Sequence, residues 1–319
     1  MTRFPDGPPP RSERPTSVDQ LIDSRLMARL DHLDVVSRKI FSGRVQGERR
    51  SKRRGQSVEF ADFRPYVAGD DLRFVDWNIY GRLDRLFLKI FLEEEDLSLH
   101  VVLDASASMN WGDPSKFEFA RRLAMALGYI GLTNQNRVSM SAFGGIDRDG
   151  NPAGLQRLSN LRGRRRTHEV GKWLIDLEPG GGDEFENAMK TIALSRQGRG
   201  VMVVISDFLH KGGFETGLRY IAGRGYDVFA MQLLSPQEID PLAHGMSGDL
   251  RLVDLEDDDQ AEVTVNAAVL RGYKDRLDTW CGRLRDFCIR RSIMHMIVDT
   301  GMDLDTLMLD YLRRRGLLR

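Results

Sequence analysis

The stretch Leu97-Ser98-Leu99-His100-Val101-Val102-Leu103-Asp104-Ala105-Ser106-Ala107-Ser108 decides how the rest of the chain reads. Leu97–Leu103 is an apolar run of strand length, and it ends on Asp104. An apolar run of that length predicts a buried strand. Beyond it Asp104, Ser106 and Ser108 alternate. Alternate residues of an extended or turning segment can face one way, so one carboxylate and two hydroxyls can converge. Three hard oxygens in a small space suit Mg2+ or Mn2+, which favour octahedral oxygen coordination. No His or Cys interrupts the Asp104–Ser108 run, which argues against zinc.

From residue 97 onward strands and helices alternate. Asp113-Pro114, with Ser115 and Glu118 after it, marks a helix start, and the helix carries Phe117, Leu123, Leu127 and Ile130. Val138–Phe143 reads as the next strand, and Leu155–Leu158 as a short antiparallel return. Helices are expected around Val170–Leu177 and Phe185–Ile192. The strand Val201–Ile205 follows, ending in Ser206-Asp207. Then come a helix, the strand Tyr226–Leu234, a hairpin within Leu250–Val265, a helix over Ala267–Arg291, the strand Ile293–Val298 and a terminal helix. Repeated strand-helix-strand units imply a mainly parallel α/β sheet with helices on both faces. Ligands of such sheets gather at the carboxyl ends of strands, near the point where strand order reverses. Asp104 and Asp207 both stand at strand ends.

The amino-terminal part has a different texture. Residues 1–15 are polar and proline-rich and read as a disordered leader without the apolar core of a signal peptide. Leu21, Ile22, Leu26, Leu30, Leu33, Val36 and Ile40 keep a spacing of three and four, predicting one helix from Thr16-Ser17 to about Phe41. A basic loop follows, with Arg49-Arg50-Ser51-Lys52-Arg53-Arg54 at its centre. Val58–Arg64, Leu72–Trp77 and Leu86–Leu92 read as short strands, with no helix between 56 and 92. The chain therefore divides into a leader (1–15), a helix with a small β subdomain (16–95) and a larger α/β domain (96–319).

Composition adds little. Hydrophobic residues are 41% and charged residues 29% of 319, ordinary for a globular chain. Lys+Arg and Asp+Glu are both 47, so net charge points to no class of partner. No apolar run approaches the roughly 18–20 residues of a membrane helix. Cys281 and Cys288, two helical turns apart, would stand about 10 Å apart, too far for a disulfide, and a reducing cytoplasm fits.

Around this core the motifs resemble a known family. Val101-Val102-Leu103-Asp104-Ala105-Ser106-Ala107-Ser108-Met109 is similar to the Asp-x-Ser-x-Ser signature of the metal-ion-dependent adhesion site in von Willebrand factor A-type domains. Val203-Val204-Ile205-Ser206-Asp207 resembles the later strand whose terminal Asp belongs to that site. Upstream, Gly55–Phe60, Tyr66–Arg73 and Val75-Asp76-Trp77 resemble the bacterial family called domain of unknown function 58. The matching blocks span about residues 40 to 235.

The resemblance implies an A-type fold after a β segment, a cation held by Asp104, Ser106, Ser108 and Asp207, and a partner of the MoxR-type AAA+ ATPase class. It also implies a Thr ligand in a Gly-Gly-Thr-Asp run. Aligned on Ala188-Met189, Asp183 takes the Thr position as a metal ligand; aligned on the Asp, Gly182 takes it.

Two other readings compete. Asp70, Asp71 and Asp76 could serve metal-dependent phosphoester hydrolysis, although a tight turn with Asp76 paired to an arginine is the simpler account. Residues 49–54 could grip nucleic acid, although no aromatic stacking pattern accompanies them. Arg162–Arg166 offers a candidate basic rim for the metal face. His168, His210, His244 and His295 form no triad or zinc pattern, and no phosphate-binding glycine loop follows a strand, so the chain reads as a non-enzymatic binding module.

Overall fold

The computed structural model describes residues 15–37, 59–67, 72, 75–92, 97–182, 184–195, 200–222, 225–253 and 260–319. The chain forms two units, Arg44–Asp96 and the remainder. In the larger unit the apolar run becomes β1 (Ser98–Asp104), buried along its whole length. The pleat sends Leu99, Val101 and Leu103 into one core layer and Val102 into the other, so β1 has no solvent face. The other strands of its sheet are β2 (Arg137–Phe143), β3 (Gln156–Leu161), β4 (Gly200–Ser206), β5 (Tyr226–Leu234) and β6 (Met294–Asp299).

The spatial order is β6-β5-β4-β1-β2-β3, parallel throughout except for β3. The chain leaves β1 toward β2 and β3, then returns to place β4 on the opposite side of β1. Strand order therefore reverses between β1 and β4, and the carboxyl ends of these two neighbours carry Asp104 and the Ser206-Asp207 pair.

One face of the sheet is covered by the helices Lys116–Thr133 and Thr167–Asp176, joined by the amino-terminal segment and the chain's last residues. The other is covered by Phe185–Leu194, Glu215–Ile221 and the final turns of Ala267–Arg290. Phe117, Leu123, Leu127 and Ile130 are fully buried, as their spacing implied. Gly248–Val253 and Gln260–Val265 form the expected antiparallel hairpin.

The expected long amino-terminal helix is instead two short ones, Val18–Leu21 and Ser24–Leu30. Ile22 is extended, and Asp23 accepts the Leu26 N–H, capping a new helix inside the periodic run. Leu21, Ile22, Leu26, Leu30 and Leu33 are nonetheless buried. The pattern reported burial and not continuous helix. This segment packs on the α/β unit. Tyr129 donates to Asp31 at 2.5 Å, Asn134 donates to the Leu33 carbonyl at 2.7 Å, and Val35 bridges Leu318.

In the smaller unit Glu59–Pro65 pairs antiparallel with Phe87–Leu92. A helix, Trp77–Leu83, stands where none was expected, and among the described residues of the expected strand Leu72–Trp77 only Val75 makes a bridge, to Leu88. Asp76 causes this: its carboxylate accepts from Asn78 and Ile79 N–H and caps the helix. The leader through residue 14, the basic run 49–54 and Asp70 and Asp71 lie outside the described residues.

Candidate functional site

Asp104 is fully buried at the end of β1, where the chain must turn away from the sheet. Its Oδ1 accepts the Ser106 N–H at 2.9 Å, which bends the backbone into a turn over the strand end. Its Oδ2 accepts the Ser206 hydroxyl at 2.6 Å, tying β1 to β4. Ser106 is buried and also hydrogen-bonds to the Asp104 carboxylate. Ser106 Oγ lies 3.1 Å from Ser108 Oγ, and Ser108 is half-buried. The three oxygen-bearing side chains of the opening motif are therefore brought together.

A second loop is stitched onto this turn. Gly180 N–H donates to the Ala105 carbonyl at 3.0 Å, Ala107 N–H to Gly181 at 3.0 Å, and Gly181 N–H to Gly144 at 2.8 Å. Gly144 has φ +71°, and a Cβ there would stand 3.0 Å from Ser106 N. A Cβ on Gly181 would stand 2.7 Å from the Gly144 carbonyl. Both glycines are demanded by close backbone approach beneath Ser106. Gly182 follows this stitched loop and is exposed, while Asp183 lies outside the described residues.

Asp207 is also fully buried, but its oxygens are engaged. Oδ1 accepts the Leu209 N–H at 3.0 Å, and Oδ2 accepts from Lys116 Nζ at 2.7 Å. Lys116 reaches Glu238 Oε1 at 2.7 Å as well. Burial raises the Asp207 pKa, but the Lys116 ammonium, the Leu209 N–H and His210 together hold the carboxyl below its ordinary range. Lys116 is raised in turn, because Asp207 and Glu238 overcome its burial. Asp104 has no such lysine. Burial pushes its carboxyl up, Asp207 adds to this, and His210 and the serine hydroxyls oppose it.

Lys116, Glu238 and His210 had no part in the motif. Lys116 carried one signal: it is the first residue of its helix, where a cation opposes the helix dipole and needs another reason to be there. Glu238 gave none, since it comes from the short helix Pro236–Ile239 after β5. In sequence His210, just after Asp207, could border the site or serve as a surface or helix-start residue; it is 3% exposed. It stacks on Phe185 with ring centroids 4.4 Å apart, because the loop after β4 folds back under Asp104.

The other sequence candidates separate from the site. Among the described residues no group of three or more His, Cys, Asp or Glu side chains is gathered for a metal. Asp76 is a helix cap. The arginines 162–166 do not rim the Asp104 face. β3 runs antiparallel to β2, so its end at Leu161 lies beside Val138, at the amino edge of the sheet. There Arg164 meets Asp31 and the Tyr129 ring. Both cysteines are free thiols, and no helix among the described residues is long and apolar enough to cross a membrane.

Uncharacterized proteins of Mycobacterium tuberculosis and Mycobacterium bovis are 27% identical over 223 residues, covering 68% of this chain and 68% of theirs. Among solved structures, a von Willebrand factor type A protein from Catenulispora acidiphila aligns with TM-score 0.37 and 12% identity, over 69% of this chain and 42% of that one. The pilus adhesin SpaC from Lactobacillus rhamnosus GG aligns with TM-score 0.43 and 9% identity, over 70% of this chain and 31% of that one. The chain thus spans less than half the length of these two solved chains. A family model matches residues 62–279, well over half of the sequence, and the chain belongs to the family described as protein of unknown function DUF58.

Proposed function

We propose that this chain is a non-catalytic binding protein whose carboxyl-edge site takes Mg2+ or Mn2+ and, through it, a carboxylate of a partner protein. The observation that carries this reading is the grouping of Asp104, Ser106 and Ser108. In an octahedron with metal–oxygen bonds of about 2.1 Å, adjacent oxygens stand about 3 Å apart, and the two serine hydroxyls are 3.1 Å apart. Asp104 is a buried carboxylate that burial pushes toward its neutral form and that Lys116 does not pair with, so a bound cation would supply the opposite charge that favours its ionised form. Ser108, half-buried, forms the accessible edge.

In this reading Asp104, Ser106 and Ser108 hold the cation. Asp207 contributes charge to the site more than a free oxygen, since both its oxygens are engaged. Asp183 remains a proposed further ligand, and Asp183→Thr is expected to weaken Mg2+ binding. When bound, the cation supplies an open position for an acidic oxygen. The family resemblance names a MoxR-type AAA+ ATPase as the partner, in the setting of a bacterial cytoplasm.

Calorimetric titration with Mg2+ and Mn2+ tests the site, comparing wild type with Asp104→Ala. Saturable binding lost in the variant supports the reading, and a wild type that takes up neither ion at millimolar concentration overturns it. Capture of the purified ATPase, with and without EDTA, tests the partner.

A further inference from the structure

The hydrogen-bond chain that ends on Asp104 has a direction. Ser206 Oγ donates to Asp104 Oδ2 at 2.6 Å, and a hydroxyl has one hydrogen to give. The same oxygen accepts the Phe208 N–H at 2.9 Å and lies 3.2 Å from His210 Nε2. Toward the ring it can only accept, so Nε2 must carry a hydrogen. That nitrogen is also 3.6 Å from Asp104 Oδ2, so its N–H is aimed at the Ser206–Asp104 pair.

The ring is held in place. It stacks on Phe185 at an interplanar angle of 16°, and Phe143 and Phe208 stand around it with centroids at 6.1 and 6.5 Å. Phe143 ends β2, Phe185 opens the helix after the Gly180–Gly182 loop, and Phe208 follows β4. Three elements that build the site thus converge on one imidazole.

We propose that His210, acting through Ser206, is the positioning residue of the cation site described above, an assignment that rests on that reading of the site. It fixes Asp104 Oδ2 from behind. The carboxylate is then presented to Ser106 and Ser108 through the oxygen that already anchors their turn. Hydrogen-bonding partners behind a metal ligand commonly set affinity by 10–100-fold.

Three variants separate this role from packing. His210→Phe keeps a ring for Phe185 to stack on and removes the donor. His210→Gln removes the ring and keeps an N–H at comparable reach, and Ser206→Ala cuts the relay. Mg2+ and Mn2+ titrations should show roughly 10–100-fold weaker binding in His210→Phe and Ser206→Ala, with substantial recovery in His210→Gln. Equal affinity in wild type and His210→Phe would overturn the assignment.

Long-range proton–nitrogen correlation of the His210 ring in the wild-type protein gives a readout that needs no cation. A hydrogen on Nε2 is expected, and a ring protonated only at Nδ1 overturns the relay even if every variant misfolds. A wild type that binds no cation sinks the reading of the site itself; the tautomer then decides alone whether His210 holds Asp104.

Discussion

Lys116 Nζ stands 2.7 Å from Asp207 Oδ2, and both side chains are 1% exposed. The same ammonium lies 2.7 Å from Glu238 Oε1, so one buried cation joins the ends of β4 and β5 to the start of the helix Lys116–Thr133. Asp207 is folded around the Lys116 ammonium, while Asp104, its neighbour across the strand-order reversal, meets the Ser206 hydroxyl and the His210 ring instead.

Replacing Lys116 with Met should therefore act in two directions. The buried Asp207 and the half-buried Glu238 lose their counter-charge, and breaking a buried pair costs about 3–5 kcal/mol. Urea denaturation in EDTA should show that loss. The extra negative charge beside Asp104 should at the same time tighten Mg2+ binding. A variant as stable as wild type would mean that the pair adds nothing.

Gly144→Ala should disturb the site from below. The left-handed backbone at φ +71° is unfavourable for Ala, and the added Cβ would press on Ser106 N, Cα and Cβ at 3.0–3.1 Å. Strain at such positions costs on the order of 1–3 kcal/mol. Thermal denaturation should show it, together with weaker Mg2+ binding as Ser106 shifts. Unchanged cation affinity in a destabilised variant would separate the turn from the site.

His100 makes stability sensitive to acid. It is buried in β1, with Nε2 2.8 Å from Ser141 Oγ, and burial, aided by Arg157, lowers its pKa from 6.5 to about 3. Between those values the unfolded chain binds a proton that the folded chain refuses. Stability is therefore lost as pH falls below about 6.5, at up to roughly 1.4 kcal/mol per pH unit. Urea midpoints measured from pH 7 to 4 should fall more steeply in wild type than in His100→Gln.

The two thiols should be slow to react in the native protein. Burial pushes the Cys288 thiol up to about 12, and Cys281 is also raised, chiefly by burial. A chromogenic disulfide reagent at pH 8 should label Cys281 first and Cys288 only on unfolding. Rapid labelling of both would contradict this packing.

Strands and helices of the α/β unit were legible because their signals are local. β1, β4 and β5 are apolar runs of strand length, and the helix Lys116–Thr133 buries the residues its spacing marks. The errors have local causes as well. Asp23 and Asp76 each cap a helix, a few atoms of side-chain hydrogen bonding that outweigh the periodic or β-like pattern around them. Arg162–Arg166 was misplaced for another reason: only the register of β3 against β2 shows which edge of the sheet the run occupies.

By itself the sequence determined the alternating α/β order and the run Asp104-Ala105-Ser106-Ala107-Ser108 at a strand end, since both follow from residue type and spacing over fewer than ten positions. Tertiary structure alone decided what surrounds that run. Lys116 was brought to Asp207 across 91 positions, Ser206 to Asp104 across 102, and Glu238 to Lys116 across 122. Only the parallel pairing of β1 with β4 and of β4 with β5 sets their strand ends side by side. Which carboxylate is paired with a lysine and which is not depends on burial and on charges distant in sequence, and no pattern of neighbouring residues carries that information.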